Sequence, residues 1–127
     1  MRFGEYIRSK RIKDPRELTL KDVATVLGVS TSLLSDIEQG RRKPFDSDKI
    51  EKFSEYLQLS DADRARLYDL AARETREIPS DIEDTMMYTP IGDMARQALR
   101  LSNEGVVDES DWREFIRQIE RKRGKNV

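Results

Sequence analysis

The sequence predicts an all-α fold, and three observations lead to this prediction. Charged residues make up 39% of the 127 residues and hydrophobic residues 36%, and the chain holds only 6 glycines and 4 prolines. Apolar residues recur in several segments at the three- and four-residue spacing of one helix face. These segments begin at Ser, Thr or Asp residues that can cap a helix. A sandwich or barrel would instead show many short strands with alternating polarity.

Composition also limits the function. At 127 residues the chain can form one compact domain, or a small domain with an appendage. Cysteine and histidine are both absent, which removes thiolate nucleophiles, the usual general base and the commonest metal ligands. We therefore predict no enzymatic activity, no metal and no cofactor. No apolar segment approaches the roughly 20 residues that span a bilayer, and the N-terminus lacks a secretory apolar core. We expect a cytoplasmic protein with no membrane partner.

The first predicted helix runs from Phe3 to Lys13 and ends before Pro15, which cannot continue it. Its outward face carries several Lys and Arg residues. The residues expected to contact the core are Phe3, Tyr6, Ile7 and Ile12.

The segment from Leu18 to Pro44 predicts two short helices joined by a fixed turn. Thr19 can cap the first helix, and Gly28 can end it in the left-handed conformation that glycine adopts at little cost. Ser30 can then cap the second helix, which we predict over Thr31 to Gln39.

This segment resembles the helix-turn-helix of the Cro and phage-repressor family, also called the XRE family. The residues that match the family pattern are Ala24, Gly28, Val29, Ser30, Ile37, Glu38, Gly40 and Pro44. The resemblance implies a five-helix, lambda-repressor-like DNA-binding domain over residues 1–76, in which the helix from Thr31 reads the major groove. The fourth helix is expected to start at Asp46 or Ser47, and the fifth after Ser60, with Asp63 completing a capping box.

The same resemblance implies the DNA contacts. The residues placed at base edges are Thr31, Ser32 and Asp36, with Ser35 beside them. Asp36 has two interpretations. It can contribute to specificity, by accepting a hydrogen bond from a cytosine amino group or by repelling DNA sequences that fit poorly, or it can simply solubilise the helix. The residues expected to contact phosphates are Lys21, Arg41, Arg42 and Lys43. The family often has glutamine where this chain has Leu20, so Lys21 and the helix N-terminus must replace one phosphate contact.

Arg11 and Glu38 match a pair that is structural in the family. In lambdoid phage repressors, the corresponding arginine binds the glutamate that ends the recognition helix. The resemblance therefore implies an ion pair that joins the first and third helices, and a guanidinium can hold a carboxylate through two parallel hydrogen bonds.

Residues 77–127 are expected to form a small helical extension to which the resemblance does not reach. We predict a hinge or short helix near residues 77–88, a helix that Thr89 caps and a last helix that Asp108 caps, followed by a basic tail at 121–125. One apolar stripe on the last helix is a candidate dimer or partner face, although packing within the chain is the alternative. Its residues are Trp112, Phe115, Ile116 and Ile119.

Taken together, these features predict a sequence-specific transcriptional regulator, a repressor that binds an inverted repeat in double-stranded DNA as a homodimer. The net charge of −1 does not indicate a nucleic-acid binder, but residues 1–58 carry 12 basic against 10 acidic side chains. The alternative is an antitoxin or anti-regulator whose main role is to bind another protein through the C-terminal helices.

Overall fold

The structure is a computed structural model that describes residues 1–125, and over that range it contains eight α-helices and no β-strand. The prediction of an all-α fold is confirmed. The chain divides into two compact units, which separate between Glu83 and Asp84. No helix in the described range is long and apolar enough to cross a membrane.

The N-terminal unit is a bundle of five helices: α1 (Phe3–Lys13), α2 (Leu20–Leu27), α3 (Thr31–Glu38), α4 (Ser47–Tyr56) and α5 (Asp61–Thr75). Helix α1 packs against α3 and α5, α2 packs against α3 and α4, and α4 packs against α5. All five helices therefore contribute to one apolar core. Its fully buried large side chains are Phe3, Ile7, Val23, Leu34, Ile50, Phe53, Leu67 and Leu70.

Helix α1 supplies the core as predicted, except at Ile12. Phe3 and Ile7 are buried, but the Ile12 side chain is 54% exposed, so its predicted core role is wrong. The reason is helical geometry. Ile12 lies five residues after Ile7, which places it about 140° around the helix from Ile7 and outside the buried face. Arg11, four residues after Ile7, continues that face instead.

Gly4 lets α1 approach the end of α3 directly. A Cβ atom at this position would collide with the backbone carbonyl oxygens of Ile37 and Glu38. The backbones of α1 and α3 are therefore in contact without intervening side chains, which fixes the end of α3 against the core.

Asp63 links α5 to α1 rather than closing the predicted capping box. Ser60 caps α5 by accepting a hydrogen bond from the Asp63 amide. The Asp63 carboxylate accepts hydrogen bonds from the Tyr6 hydroxyl at 2.9 Å and from Lys10 Nζ at 3.0 Å. These contacts lower the pKa of Asp63 below its ordinary value, with Lys10 the largest cause. Burial and the hydrogen bond to Asp63 raise the pKa of Tyr6 to about 12.

The C-terminal unit contains α7 (Pro90–Asn103) and α8 (Glu109–Lys125), and α6 (Glu83–Tyr88) lies where the two units divide. Thr89 caps α7 as predicted, by accepting a hydrogen bond from the Gly92 amide. Asp108 and Asp111 exchange backbone-to-carboxylate hydrogen bonds at the start of α8. Helix α8 continues through residue 125, so the basic segment at 121–125, predicted as a tail after the last helix, is part of that helix.

The pH dependence of stability is expected to depend on Asp63. Its lowered pKa means that the ionised carboxylate stabilises the fold above the ordinary pKa, and that this contribution disappears as the pH falls through the lowered value. Asp63→Asn is expected to reduce the free energy of unfolding by about 1 kcal/mol at neutral pH, and the difference from the unmodified protein should shrink as the pH falls through the lowered pKa of Asp63. Urea denaturation at neutral pH and over an acidic pH series measures this.

The control is Asp61→Asn in the same helix turn. The Asp61 side chain is 96% exposed, so its loss should change the free energy of unfolding by less than about 0.5 kcal/mol. An Asp63→Asn difference that is the same at neutral and acidic pH would contradict the prediction.

Candidate nucleic-acid interface

The helices α2 and α3 are joined by a turn whose geometry is fixed at both ends. Thr19 and Asp22 form a capping box at the start of α2, with hydrogen bonds of 2.9 and 3.1 Å. Gly28 ends α2 with a left-handed φ of 71°. Ser30 then caps α3 by accepting a hydrogen bond from the Leu33 amide at 3.0 Å. Both helices consequently begin at defined residues, whose free backbone N–H groups favour anions.

A buried ion pair attaches the end of α3 to α1. Arg11 donates from Nε and Nη2 to the two carboxylate oxygens of Glu38, at 2.8 and 2.9 Å. The side chains of Arg11 and Glu38 are only 12% and 4% exposed. Arg11 Nη1 also donates to the backbone carbonyl of Leu18 at 3.1 Å, and the hydrogen bond to Glu38 raises the pKa of Arg11. One side chain thus joins α1, the segment before α2 and α3.

The four candidate base contacts lie along the outward face of α3. Thr31 and Ser32 are exposed at its first turn, whereas Ser35 and Asp36 are half-buried one turn later. The Ser35 hydroxyl accepts a hydrogen bond from the Gln39 amide at 3.3 Å. The first turn of α3 therefore presents the freest hydroxyl groups.

Asp36 and Arg41, to which the sequence assigned different DNA contacts, bind each other. Arg41 donates to one Asp36 carboxylate oxygen from Nε at 3.0 Å and from Nη2 at 2.8 Å. The Arg41 amide also donates to the Asp36 carbonyl at 2.8 Å. Gly40, with a φ of 79°, reverses the chain so that Arg41 returns to the end of α3. The charge of Asp36 is thereby balanced by the first cation of the loop.

Gln39 belongs to the same group, and the sequence reasoning did not select it. Its side chain is exposed, donates to Ser35 and accepts a hydrogen bond from Arg41 Nη1 at 2.5 Å. The available signal was its position four residues after Ser35, which places both on one helix face. Gln39 therefore orders the side chains at the end of α3.

The other candidate phosphate contacts are exposed cations. Lys21, Arg42 and Lys43 form no ion pair with any residue in the part of the chain that the structure describes. Leu20 is half-buried and packs against the core, so it offers no polar group to a phosphate. Among residues 1–125, no group of three or more acidic side chains is placed to hold a metal ion.

The comparison with protein families identifies this arrangement. The family model described as a helix-turn-helix domain matches residues 2–67, which include α1 to α4 and the first half of α5. The chain belongs to the helix-turn-helix domain family. No curated protein and no solved structure matches the chain.

The helix-turn-helix domain family indicates a DNA-binding regulator, and its members are typically not enzymes. The match confirms the identification of Leu18 to Pro44 as a helix-turn-helix. It ends at residue 67 and leaves the C-terminal helices outside the matched region.

The buried Arg11–Glu38 pair should contribute strongly to stability. Glu38→Gln leaves the Arg11 charge without a carboxylate in a desolvated site, and we expect the free energy of unfolding to fall by about 3 kcal/mol. Thermal and urea denaturation followed by circular dichroism measure the change.

Lys52→Gln is the matched control because it breaks an exposed ion pair with Asp48, in which the side chains are 51% and 74% exposed. Its effect should stay below about 0.5 kcal/mol. Equal effects of the two substitutions would show that the pair of Arg11 and Glu38 has no special structural role.

Proposed function

We propose that the protein is a sequence-specific transcriptional repressor of the XRE type, which binds an inverted repeat in double-stranded DNA as a homodimer. The observation that carries this proposal is the arrangement at α3: exposed hydroxyl side chains at its first turn and a loop of cations directly after its end. No metal or cofactor takes part in the proposed binding.

In this proposal α3 enters the major groove and its first turn reads bases. Thr31 and Ser32 are exposed there, with Ser35 one turn further on. Hydroxyl groups can donate to or accept from several bases, and the Thr31 methyl can contact a thymine methyl. Such short side chains discriminate less strongly than arginine on guanine, so much of the affinity must come from the phosphate backbone.

The phosphate contacts come from two places. Arg42 and Lys43 follow α3, and Lys21 lies in the first turn of α2, beside free backbone N–H groups that attract an anion. These contacts set affinity and register without reading sequence.

Arg41 and Asp36 have a linked role in the proposal. A phosphate can bind Arg41 only by competing with the Asp36 carboxylate, which now holds it through two hydrogen bonds. Asp36 therefore acts mainly as a negative charge that holds Arg41 and weakens binding to every duplex, not as a reader of cytosine.

A homodimer explains how so small a reading surface selects a site. One recognition helix contacts only a short half-site, whereas a two-fold dimer can place two helices about 34 Å apart on one face of the duplex. The inverted repeat of the operator then matches the symmetry of the dimer.

A second candidate function is an antitoxin or anti-regulator that acts mainly by binding another protein. The specific observation in its favour is the exposure of apolar side chains on α7 and α8, including Ile91 at 65% and Met94 at 62%. In that case the DNA-binding domain would have a secondary role, and binding to the protein's own upstream DNA would be weak.

Fluorescence anisotropy tests the proposed function. The labelled duplexes are the DNA upstream of the protein's own gene and a scrambled duplex of the same composition, each titrated over a salt series. We expect tight binding to the first duplex, with a log–log salt slope of about −4 or steeper. Weak and equal binding to both duplexes would contradict it and favour the protein-binding alternative.

Substitutions should separate phosphate contacts from base contacts. Arg42→Ala is expected to make the salt slope shallower by about 0.9 for each subunit bound, while the ratio of affinities for the two duplexes stays the same. Ser32→Ala is the complementary variant: it should lower that ratio and leave the slope unchanged. If the two variants had the same effect on both quantities, the assigned roles would be wrong.

Asp36→Asn tests the linked role of Asp36 and Arg41. Removing the carboxylate frees Arg41 and reduces repulsion of the DNA backbone, so affinity for both duplexes should rise by a similar factor. Asp61→Asn, which removes the same charge from α5, should change affinity much less. A loss of affinity confined to the upstream duplex would show that Asp36 reads a base.

A further inference from the structure

The helices α7 and α8 expose apolar side chains and bury none. From residue 84 through residue 124, the only buried residue is Gly92. The large exposed apolar side chains in that range are Met87, Tyr88, Ile91, Met94, Leu99, Val106, Phe115, Ile116 and Ile119. An amphipathic helix is stable in water when its apolar face is covered, so this unit requires a partner surface.

On α8 the uncovered side chains form one stripe. Phe115 and Ile116 are each 51% exposed, and Ile119 is 43% exposed. Trp112 is half-buried. Its Nε1 donates to the Ser102 hydroxyl at 2.7 Å, and its ring forms a T-shaped pair with that of Phe115, with centroids 6.4 Å apart. Trp112 therefore attaches the start of α8 to α7, while Phe115, Ile116 and Ile119 remain exposed and available to contact a partner.

The two halves of α8, before and after the centre of this stripe, carry net charges of opposite sign. Residues 108–114 carry four acidic side chains and one basic side chain, whereas residues 117–124 carry four basic side chains and one acidic side chain. Lys122 and Arg123 form no ion pair with any residue in the described range. The helix is thus acidic before Phe115 and basic after Ile116.

We propose that α8 pairs with α8 of a second copy in antiparallel orientation, with the two-fold axis near Ile116. This inference rests on the homodimer proposed above and names the surface that forms it. In this orientation the acidic half of each helix lies beside the basic half of the other, while Phe115, Ile116 and Ile119 of both copies cover each other.

A parallel pairing has the opposite electrostatics. It would place the acidic halves side by side and the basic halves side by side, and like charges repel at this distance. In the antiparallel register centred on Ile116, Glu109 of one copy lies near Arg123 of the other, on the same side of the apolar seam. The charges along α8 are therefore complementary to those of a second α8 that runs in the opposite direction.

The oligomeric state in the absence of DNA tests the surface. Sedimentation equilibrium of the full chain should show a dimer, and Ile116→Glu should weaken the dimer by at least about tenfold, because it places two carboxylates at the two-fold axis. Ile116 is half exposed in the single chain, so the variant should retain its helical circular dichroism. Leu99→Glu, the same change at a comparably exposed position on α7, should leave the dimer intact.

Disulfide cross-linking tests the orientation, since the chain has no cysteine of its own. A mixture of Glu109→Cys and Arg123→Cys proteins should form mixed disulfide dimers in preference to dimers of either variant alone. Ser110→Cys, on the opposite face of α8, is the control and should cross-link poorly with both. Preferential formation of Glu109→Cys homodimers would show a parallel pairing and overturn the inference.

The results also separate this inference from the proposed function. A dimer that Ile116→Glu leaves unchanged would overturn the α8 surface but leave a homodimeric repressor standing. A chain that is monomeric without DNA would overturn the surface as well, and the anisotropy titration would then decide separately whether the chain binds DNA.

Discussion

The buried ion pair of Arg11 and Glu38 is the interaction on which the orientation of α3 depends. The pair joins α1 to α3, whose backbones can touch because Gly4 has no side chain. Arg11 also binds the backbone of Leu18 just before α2. Glu38 is the last residue of α3. Fixing it sets the direction in which α3 leaves the core, and therefore which side chains face a ligand. Sites held by buried and fully hydrogen-bonded groups keep their geometry because any displacement would strand a charge in the core.

The electrostatics of the candidate interface explain why the net charge of −1 gives so little information about nucleic-acid binding. Asp36 neutralises Arg41, and Gln39 holds the same guanidinium. The other two cations of the loop, Arg42 and Lys43, form no ion pair with any residue in the described range and lie together beyond α3. Local arrangement, not the overall balance, determines the field that a phosphate backbone would meet.

The sequence predicted the parts of the fold that depend on local rules. Thr19, Gly28 and Ser30 mark helix ends through capping and backbone geometry, which act over a few residues. The prediction for Ile12 is wrong because its angle around the helix takes it away from the buried face, and apolar character alone does not place a residue in the core. The sequence does not predict the pair of Asp36 and Arg41, since this pair depends on the chain reversal at Gly40. It does not predict the contacts of Asp63 either, since their partners lie on α1. Tertiary contacts of this kind produce no periodic pattern in the sequence from which they could be predicted.

We propose that this protein presents α3 and the loop after it to DNA. Amide chemical shifts of the ¹⁵N-labelled protein, titrated with the duplex from upstream of its gene, test this proposal. We expect the largest changes at the first turns of α2 and α3 and at residues 41–43, while the amides of α5 and α8 change little. Changes confined to α8, or no change at α3 under conditions where the duplex binds, would contradict it.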